Sequence, residues 1–172
     1  DGKLLSADRN PNVRGALLTG LIKELPENDL SALGAQIDAG AVKTILVVGE
    51  KLCDSGLTKA QLKKVDVIYL GSHHCDTSQF AKVEIPLLTV FEKSGTFVNQ
   101  QFRVQKFAQA VPGPKGVLFG LSNLTKLYQF VTGESLFAPS PAAIWKHLAA
   151  EVEEFSALTF EGIPATGTVV SD

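Results

Sequence analysis

Two short apolar runs constrain the fold of this 172-residue chain more than anything else in it. Thr44-Ile45-Leu46-Val47-Val48-Gly49 and Val65-Asp66-Val67-Ile68-Tyr69-Leu70-Gly71 are β-branched and apolar almost throughout, and each closes on glycine. A strand wetted on one face alternates apolar with polar residues, whereas a near-continuous apolar run belongs to a parallel strand covered on both faces. The link between the runs holds a short helix candidate, Thr58 to Lys64, and is long enough for the crossover that parallel strands require. A third run, Val83-Glu84-Ile85-Pro86-Leu87-Leu88, contains a proline that cannot donate to a ladder and so reads as an edge strand or a strand end. The expected fold class is α/β, a mostly parallel sheet with helices on both faces.

Helical periodicity surrounds these runs. Val13, Leu17, Leu21 and Leu25 mark one face of a helix from Asn12 to Leu25, with Pro11 where a helix start tolerates it. A second helix reads from Asp29 to Ala39, capped by Asn28 or Asp29 and ended by Gly40 in the left-handed conformation. Two more span Val117 to Thr132 and Pro141 to Phe155, the latter with Ser140 as cap and a first-turn proline. Between Gly95 and Gln109 no helical face is visible, and Pro112-Gly113-Pro114 breaks whatever precedes it. The sequence divides into an α/β domain over residues 1–156 and an exit segment over 157–172.

Composition narrows the function classes. With 45% hydrophobic and 20% charged residues the chain can bury a core, which argues against disorder, and a formal net charge of −2 argues against a dedicated nucleic-acid binder. No stretch approaches the roughly 20 consecutive apolar residues of a membrane span. The start at Asp1-Gly2-Lys3, without Met, leads us to expect a processed chain or a piece of something longer. The two cysteines, Cys53 and Cys75, form no Cys-x-x-Cys pair and read as free thiols in a reducing compartment.

His73-His74-Cys75-Asp76 gathers metal-ligand types beyond the second strand, where open α/β sheets bind ligands. Adjacent residues seldom face one ion, no second cluster completes a shell, and the plainer reading is a helix entry capped by Asp76 or Thr77. We expect no bound metal. Gly49 and Gly71 supply one glycine each, not the Gly-x-Gly-x-x-Gly of a pyrophosphate turn, and no phosphate loop is present. Ser72, His73 and Asp76 lie too close in sequence to assume a triad, and no Gly-x-Ser-x-Gly elbow occurs, so no catalytic residue is assigned.

The most specific stretch runs from Val90 to Gln105. Gly95 would allow a turn, Thr96 and Asn99 can bond backbone groups, and Glu92, Arg103 and Gln105 offer an ion pair and an amide contact that would pin an irregular loop. Phe91-Glu92-Lys93-Ser94-Gly95-Thr96-Phe97-Val98-Asn99, followed by Arg103-Val104-Gln105, resembles the Glu-Lys-x-Gly-Thr-x-x-Asn…Arg-x-Gln signature of the molybdopterin oxidoreductase superfamily. Within it the chain is most similar to the large iron–sulfur subunit of NADH:quinone oxidoreductase, respiratory complex I. Asn10-Pro11-Asn12-Val13-Arg14-Gly15-Ala16 resembles the family's Asn-x-x-Gly-Ala segment, and Asp76-Thr77-Ser78-Gln79-Phe80-Ala81 with Ile85-Pro86 resembles its approach to a later strand. The similarity is strongest between Asp76 and Gln105.

The resemblance implies a Rossmann-like domain of the formate dehydrogenase–DMSO reductase type, cut from a larger subunit whose cysteine-rich part carries iron–sulfur clusters. It implies that Gly49, Glu50, His73, Asp76, Glu92, Gly95, Thr96, Asn99, Arg103 and Gln105 would line a dinucleotide groove if a molybdopterin cofactor were held here. Two departures favour the complex I type, a scaffold with no cofactor in this fragment and no turnover of NADH or formate by itself. Gln101-Phe102 replace an acidic residue followed by Gly or Arg, and Leu52-Cys53 stand where cofactor-binding members have Asn-Pro. The implied partners are other domains of the same subunit and other respiratory-complex subunits, without nucleic acid or membrane insertion, in a cytoplasmic setting peripheral to the membrane. The alternative is the molybdopterin-dinucleotide-binding domain of a formate dehydrogenase-like oxidoreductase. A third reading is a free-standing metal or nucleotide binder built on His73, His74 and Cys75.

Overall fold

A computed structural model describes residues 11–24 and 30–171. In chain order the elements are α1 (Val13–Leu18), α2 (Ser31–Asp38), β1 (Thr44–Val48), α3 (Lys59–Leu62), β2 (Asp66–Gly71), β3 (Ala81–Pro86), β4 (Gly95–Val98), β5 (Arg103–Phe107), α4 (Gly120–Thr132), α5 (Pro141–Glu151) and β6 (Thr168–Val169). The described residues divide between two units, one spanning 30–89 with 113–118, the other 11–24, 90–112 and 119–171.

The first unit is the expected parallel sheet, in order β1-β2-β3. Ile45 lies opposite Val67 and Val47 opposite Tyr69, and these inward residues pack with Ile37 of α2 and Leu62 of α3 in one buried cluster. Each such side chain contributes about 1.5–3 kcal/mol when fully buried, so this face supplies most of the unit's stability. The proline-bearing run forms β3 at the sheet edge, as its missing N–H requires.

The helices of this unit follow local chemistry. At α3, Thr58 Oγ1 accepts from Gln61 N (3.2 Å) while Gln61 Oε1 accepts from Thr58 N (2.9 Å), a reciprocal cap. Asp38, at the end of α2, accepts from Gln61 Nε2 (2.8 Å) and pairs with Lys64, tying the two helices. The expected caps of α2, Asn28 and Asp29, lie outside the described residues. The helix begins at Ser31 behind a Leu30 that makes no side-chain cap, and Gly40 beyond its end has φ 73°, the left-handed conformation expected there.

The second unit departs further from expectation. Residues 95–107 are not an irregular loop but a regular antiparallel hairpin, β4 against β5, extended by β6. Its turn is made by Asn99 through Phe102, not by Gly95. Asn99 Oδ1 accepts from the N–H groups of Gln101 (2.9 Å) and Arg103 (3.0 Å), and Phe102 takes φ 53°. Gly95 sits in β4 opposite Phe107, where an added Cβ would lie 2.9 Å from the ring, so glycine is there for close approach.

Val98 and Val104 face a core completed by Trp145, Phe155 and Ile163. To reach it, α5 stops at Glu151, short of the expected Phe155. Val152 is extended, and a 3₁₀ turn at Glu153–Phe155 swings the Phe155 ring to 5.1 Å from Trp145. The cap of α5 is Ser140, as expected, accepting from Ala143 N (3.2 Å). Likewise α1 stops at Leu18, where Thr19 Oγ1 bonds Gly15 O (2.9 Å), and α4 starts at Gly120. Within 157–171, the stretch expected as an exit segment, Ile163 is buried and Thr168–Val169 pairs with Arg103 and Val104. Among the described residues no helix is long and apolar enough to cross a membrane.

Candidate functional site

Parallel strands all point their carboxyl ends the same way, and ligands of open α/β sheets bind beyond those ends. Here β2 runs out at Gly71 and is followed by Ser72, His73 and His74, while β3 brings Glu84 and Pro86 alongside. These six residues line a pocket of about 240 Å³. Within it Ser72 Oγ and His73 Nδ1 are 2.9 Å apart, and His74 Nδ1 lies 3.1 Å from Glu84 Oε1 on an exposed flank. Leu87 N donates to Gly71 O (2.9 Å), so the pocket floor is held by backbone.

Tyr69 organises the wall. Its ring leans along β2 over Gly71, a position that a Cβ at residue 71 would obstruct. Its hydroxyl donates to His73 O and accepts from Cys75 Sγ, both at 3.4 Å. Burial, then the bond with Cys75, pushes the Tyr69 hydroxyl up to about 12. For Cys75, burial pushes the thiol up, but bonds from Tyr69 and from the backbone near Ser78 and Thr77 outweigh it and hold the group below the ordinary thiol value.

The residues expected to cap the next turn do other work. Thr77 Oγ1 is buried and accepts from Leu52 N (2.8 Å), joining the loops after β1 and β2, and Asp76 pairs with Lys59 (3.0 Å). Ser78 Oγ instead accepts from Cys75 N (3.0 Å). At the end of β1, Gly49 has φ 72° and its N–H donates to Leu70 O (2.7 Å), while Glu50 accepts from Ser55 Oγ (2.7 Å). Of Gly49, Glu50, His73 and Asp76, only His73 lines the pocket. Its other polar contributors, Ser72, His74 and Glu84, are not among the binding residues that sequence reasoning singles out. For Glu84 a signal exists, a carboxylate set in an otherwise apolar strand run.

The remaining expected residues belong to the second unit. Thr96 Oγ1 accepts from Trp145 Nε1 (3.3 Å), Asn99 makes the turn, and Arg103 Nη1 donates to Gly167 O (3.3 Å) and Thr166 O (3.4 Å). Gln105 is exposed on β5, and Glu92 closes the 3₁₀ turn Val90–Glu92 before β4. Among the described residues no three His, Cys, Asp or Glu side chains converge to hold a metal ion.

The pocket wall has hydroxyl, imidazole and carboxylate groups and no Lys or Arg. That donor set suits ribose hydroxyls or a base edge, whereas a pyrophosphate requires cations or a nest of N–H groups. The volume is also below the roughly 300–1,000 Å³ of pockets that enclose a whole drug-sized ligand. The residues therefore fit one nucleoside end of a dinucleotide cofactor and not its diphosphate.

Fold and pocket together define an α/β domain of the kind that presents a ligand edge beyond parallel strands. The molybdopterin oxidoreductase family profile matches residues 12–117, more than half of the chain, and the chain belongs to that family. It is 28% identical over 132 residues to the F420-dependent formate dehydrogenase 2 subunit alpha of Methanococcus maripaludis, covering 73% of this chain and 20% of that protein. It is 31% identical over 147 residues to the NADPH-Fe(3+) oxidoreductase subunit alpha of Geobacter sulfurreducens, covering 79% of this chain and 17% of that protein. The chain thus spans about a fifth or less of the relatives it matches.

Proposed function

We propose that this chain is part of the large subunit of a molybdopterin-dependent oxidoreductase of the formate dehydrogenase kind, in which the parallel-sheet unit receives a nucleoside end of the pterin dinucleotide. The observation that carries this reading is the pocket beyond β2 and β3, lined by Ser72, His73 and Glu84, in a chain of this family. When bound, the cofactor supplies the redox centre. The residues of this chain hold and orient one end of it: Glu84 accepts from hydroxyl or amine donors, Ser72 and His73 offer a donor and an acceptor, and Tyr69 fixes the backbone at His73.

Iron–sulfur clusters, if the parent carries them, are bound by cysteines outside this chain, because Cys53 and Cys75 cannot make a four-thiolate site. The partners proposed are other subunits, since both relatives are named as alpha subunits. The proposed setting is the cytoplasm, against a respiratory or ferredoxin-linked assembly.

One observation favours a second reading. The pocket wall has no Lys or Arg, and Leu52-Cys53 replace the Asn-Pro of cofactor-binding members, as suits a scaffold domain in a protein like the large iron–sulfur subunit of complex I. Replacing Glu84 separates the two. A charged hydrogen bond contributes about 1.5–3 kcal/mol, so Glu84→Gln in the full-length polypeptide should weaken retention of the dinucleotide about tenfold or more. Nucleotide released from purified protein and quantified by chromatography reads this, and unchanged content in the variant would overturn the assignment of the pocket.

A further inference from the structure

The fold joins the two loops that carry the cysteines of this chain. β1 and β2 are neighbouring parallel strands with Val48 opposite Leu70, so the loops leaving their carboxyl ends start about 4.8 Å apart and head the same way. Leu52 N, in the first loop, donates to the buried Thr77 Oγ1 of the second (2.8 Å) and clamps the two together. Cys53 follows one end of that clamp, and Cys75 lies two residues before the other. Both thiols are free and partly exposed, and both pack against the buried cluster that holds Leu52 and Tyr69.

Cys75 stands in the setting of an attacking thiol. Its Sγ lies 3.4 Å from Tyr69 Oη, and its backbone N–H donates to Ser78 Oγ (3.0 Å). Burial pushes the thiol up, but the bonds from Tyr69 and from the turn at Ser78 and Thr77 outweigh it and favour the thiolate, the nucleophilic form. Lys59 adds a cation that serves both loops. Its Nζ is 3.0 Å from Asp76, the residue after Cys75, and its ammonium is raised above the ordinary value by Asp76 first and, more weakly, by Cys53.

We propose that Cys75 and Cys53 form a peroxide-responsive dithiol, in which Cys75 attacks, Cys53 resolves, and a reversible disulfide closes across the loops after β1 and β2. The oxidant is a hydroperoxide. The Cys75 thiolate attacks one peroxide oxygen: an S–O bond forms, the O–O bond breaks, and the departing oxygen takes a proton from solvent and leaves as water. The Cys53 sulfur then attacks the sulfenic sulfur: the S–S bond forms, the S–O bond breaks, and hydroxide leaves with the Cys53 proton as a second water. The sulfurs together give up two electrons, and the two peroxide oxygens take them. Closure draws Cys75 Sγ away from Tyr69 Oη and so releases a contact at the pocket wall, and a cellular thiol reopens the bond by exchange. A transient bond of this kind suits a reducing compartment. The inference rests on the two loops and is independent of the cofactor reading.

Peptide mass spectrometry tests it in the full-length polypeptide, reduced, treated with hydrogen peroxide, then blocked by alkylation without reductant. Trypsin cuts after Lys51, Lys59, Lys64 and Lys82, which puts Cys53 on peptide 52–59 and Cys75 on peptide 65–82. The expected product is these two peptides linked, lighter than their sum by two hydrogens and separated again by a reductant. With dimedone present, Cys53→Ser should accumulate the sulfenic adduct on Cys75, and Cys75→Ser should slow oxidation of Cys53 about tenfold or more. A native protein in which dimedone labels Cys75 and no linked pair forms overturns the pairing, as does linkage of either thiol to a different cysteine. Undiminished oxidation of Cys53 in Cys75→Ser overturns the order of attack. If both thiols survive peroxide that oxidises the same chain in urea, the dithiol itself is refuted. The linked pair is sought in the native protein, so the test stands even where a variant fails to fold.

Discussion

Tyr69 shows how a single residue couples core to site. Its ring closes the buried cluster beneath β2, and its hydroxyl holds His73 O and Cys75 Sγ at the pocket wall. That hydroxyl accepts from the Cys75 thiol and can donate to the thiolate once the thiol proton is lost, so Tyr69→Phe takes away the side-chain bond that favours the thiolate. The pH midpoint for Cys75 alkylation should therefore move up, and a midpoint that stays put contradicts the bond. The tyrosine itself titrates near 12 in the folded chain against about 10 unfolded. The unfolded state thus ionises first, and the stability Tyr69 contributes is present below pH 10 and lost between about 10 and 12. Alkaline unfolding followed by circular dichroism should show this slope in the native chain and lose it in Tyr69→Phe.

At the scale of elements, stability rests on short polar devices at the ends of apolar segments. Asn99 closes the β4–β5 hairpin with two bonds from one side-chain oxygen, so Asn99→Ala should destabilise the hairpin by about 1–3 kcal/mol, read as a lowered Tm. Thr58→Ala removes the reciprocal cap of α3 and should lower stability by about 1 kcal/mol in denaturant titration. Asp38 adds a pH dependence. Its bonds from Lys64 and then Gln61 hold its carboxyl below the ordinary value. The stability it contributes is present above pH 4 and is lost as pH falls through its folded titration, so Asp38→Asn should flatten the acid limb of unfolding.

These elements also show what the sequence discloses. Strands β1 and β2 are legible because a continuous apolar run closed by glycine has few other uses, and the cap of α5 because Ser140-Pro141 is a local signal. The hairpin is hidden because its order depends on partners distant in sequence. Thr96 is satisfied by Trp145, Gly95 is required by Phe107, and Arg103 bonds carbonyls near residue 167. In the site, His73 can be read from its place after a strand, whereas Glu84 stands out only as a carboxylate in an apolar run until the register sets it opposite Tyr69. Asp76 has the look of a ligand and is instead half of an ion pair with Lys59, a contact no local pattern announces.

At the scale of the whole molecule, membership of the molybdopterin oxidoreductase family sets the question of what this segment holds. Its own residues supply a pocket with hydroxyl, imidazole and carboxylate groups and without Lys or Arg at one end of a parallel sheet, and the rest of a large subunit would supply the diphosphate contacts and the redox centres. The most direct measurement is the pterin dinucleotide and metal content of the full-length polypeptide, determined by nucleotide chromatography after acid release and by elemental analysis. A pterin dinucleotide is expected in stoichiometric amount together with molybdenum or tungsten. Purified, folded protein that carries neither would contradict it and leave the sheet as scaffold.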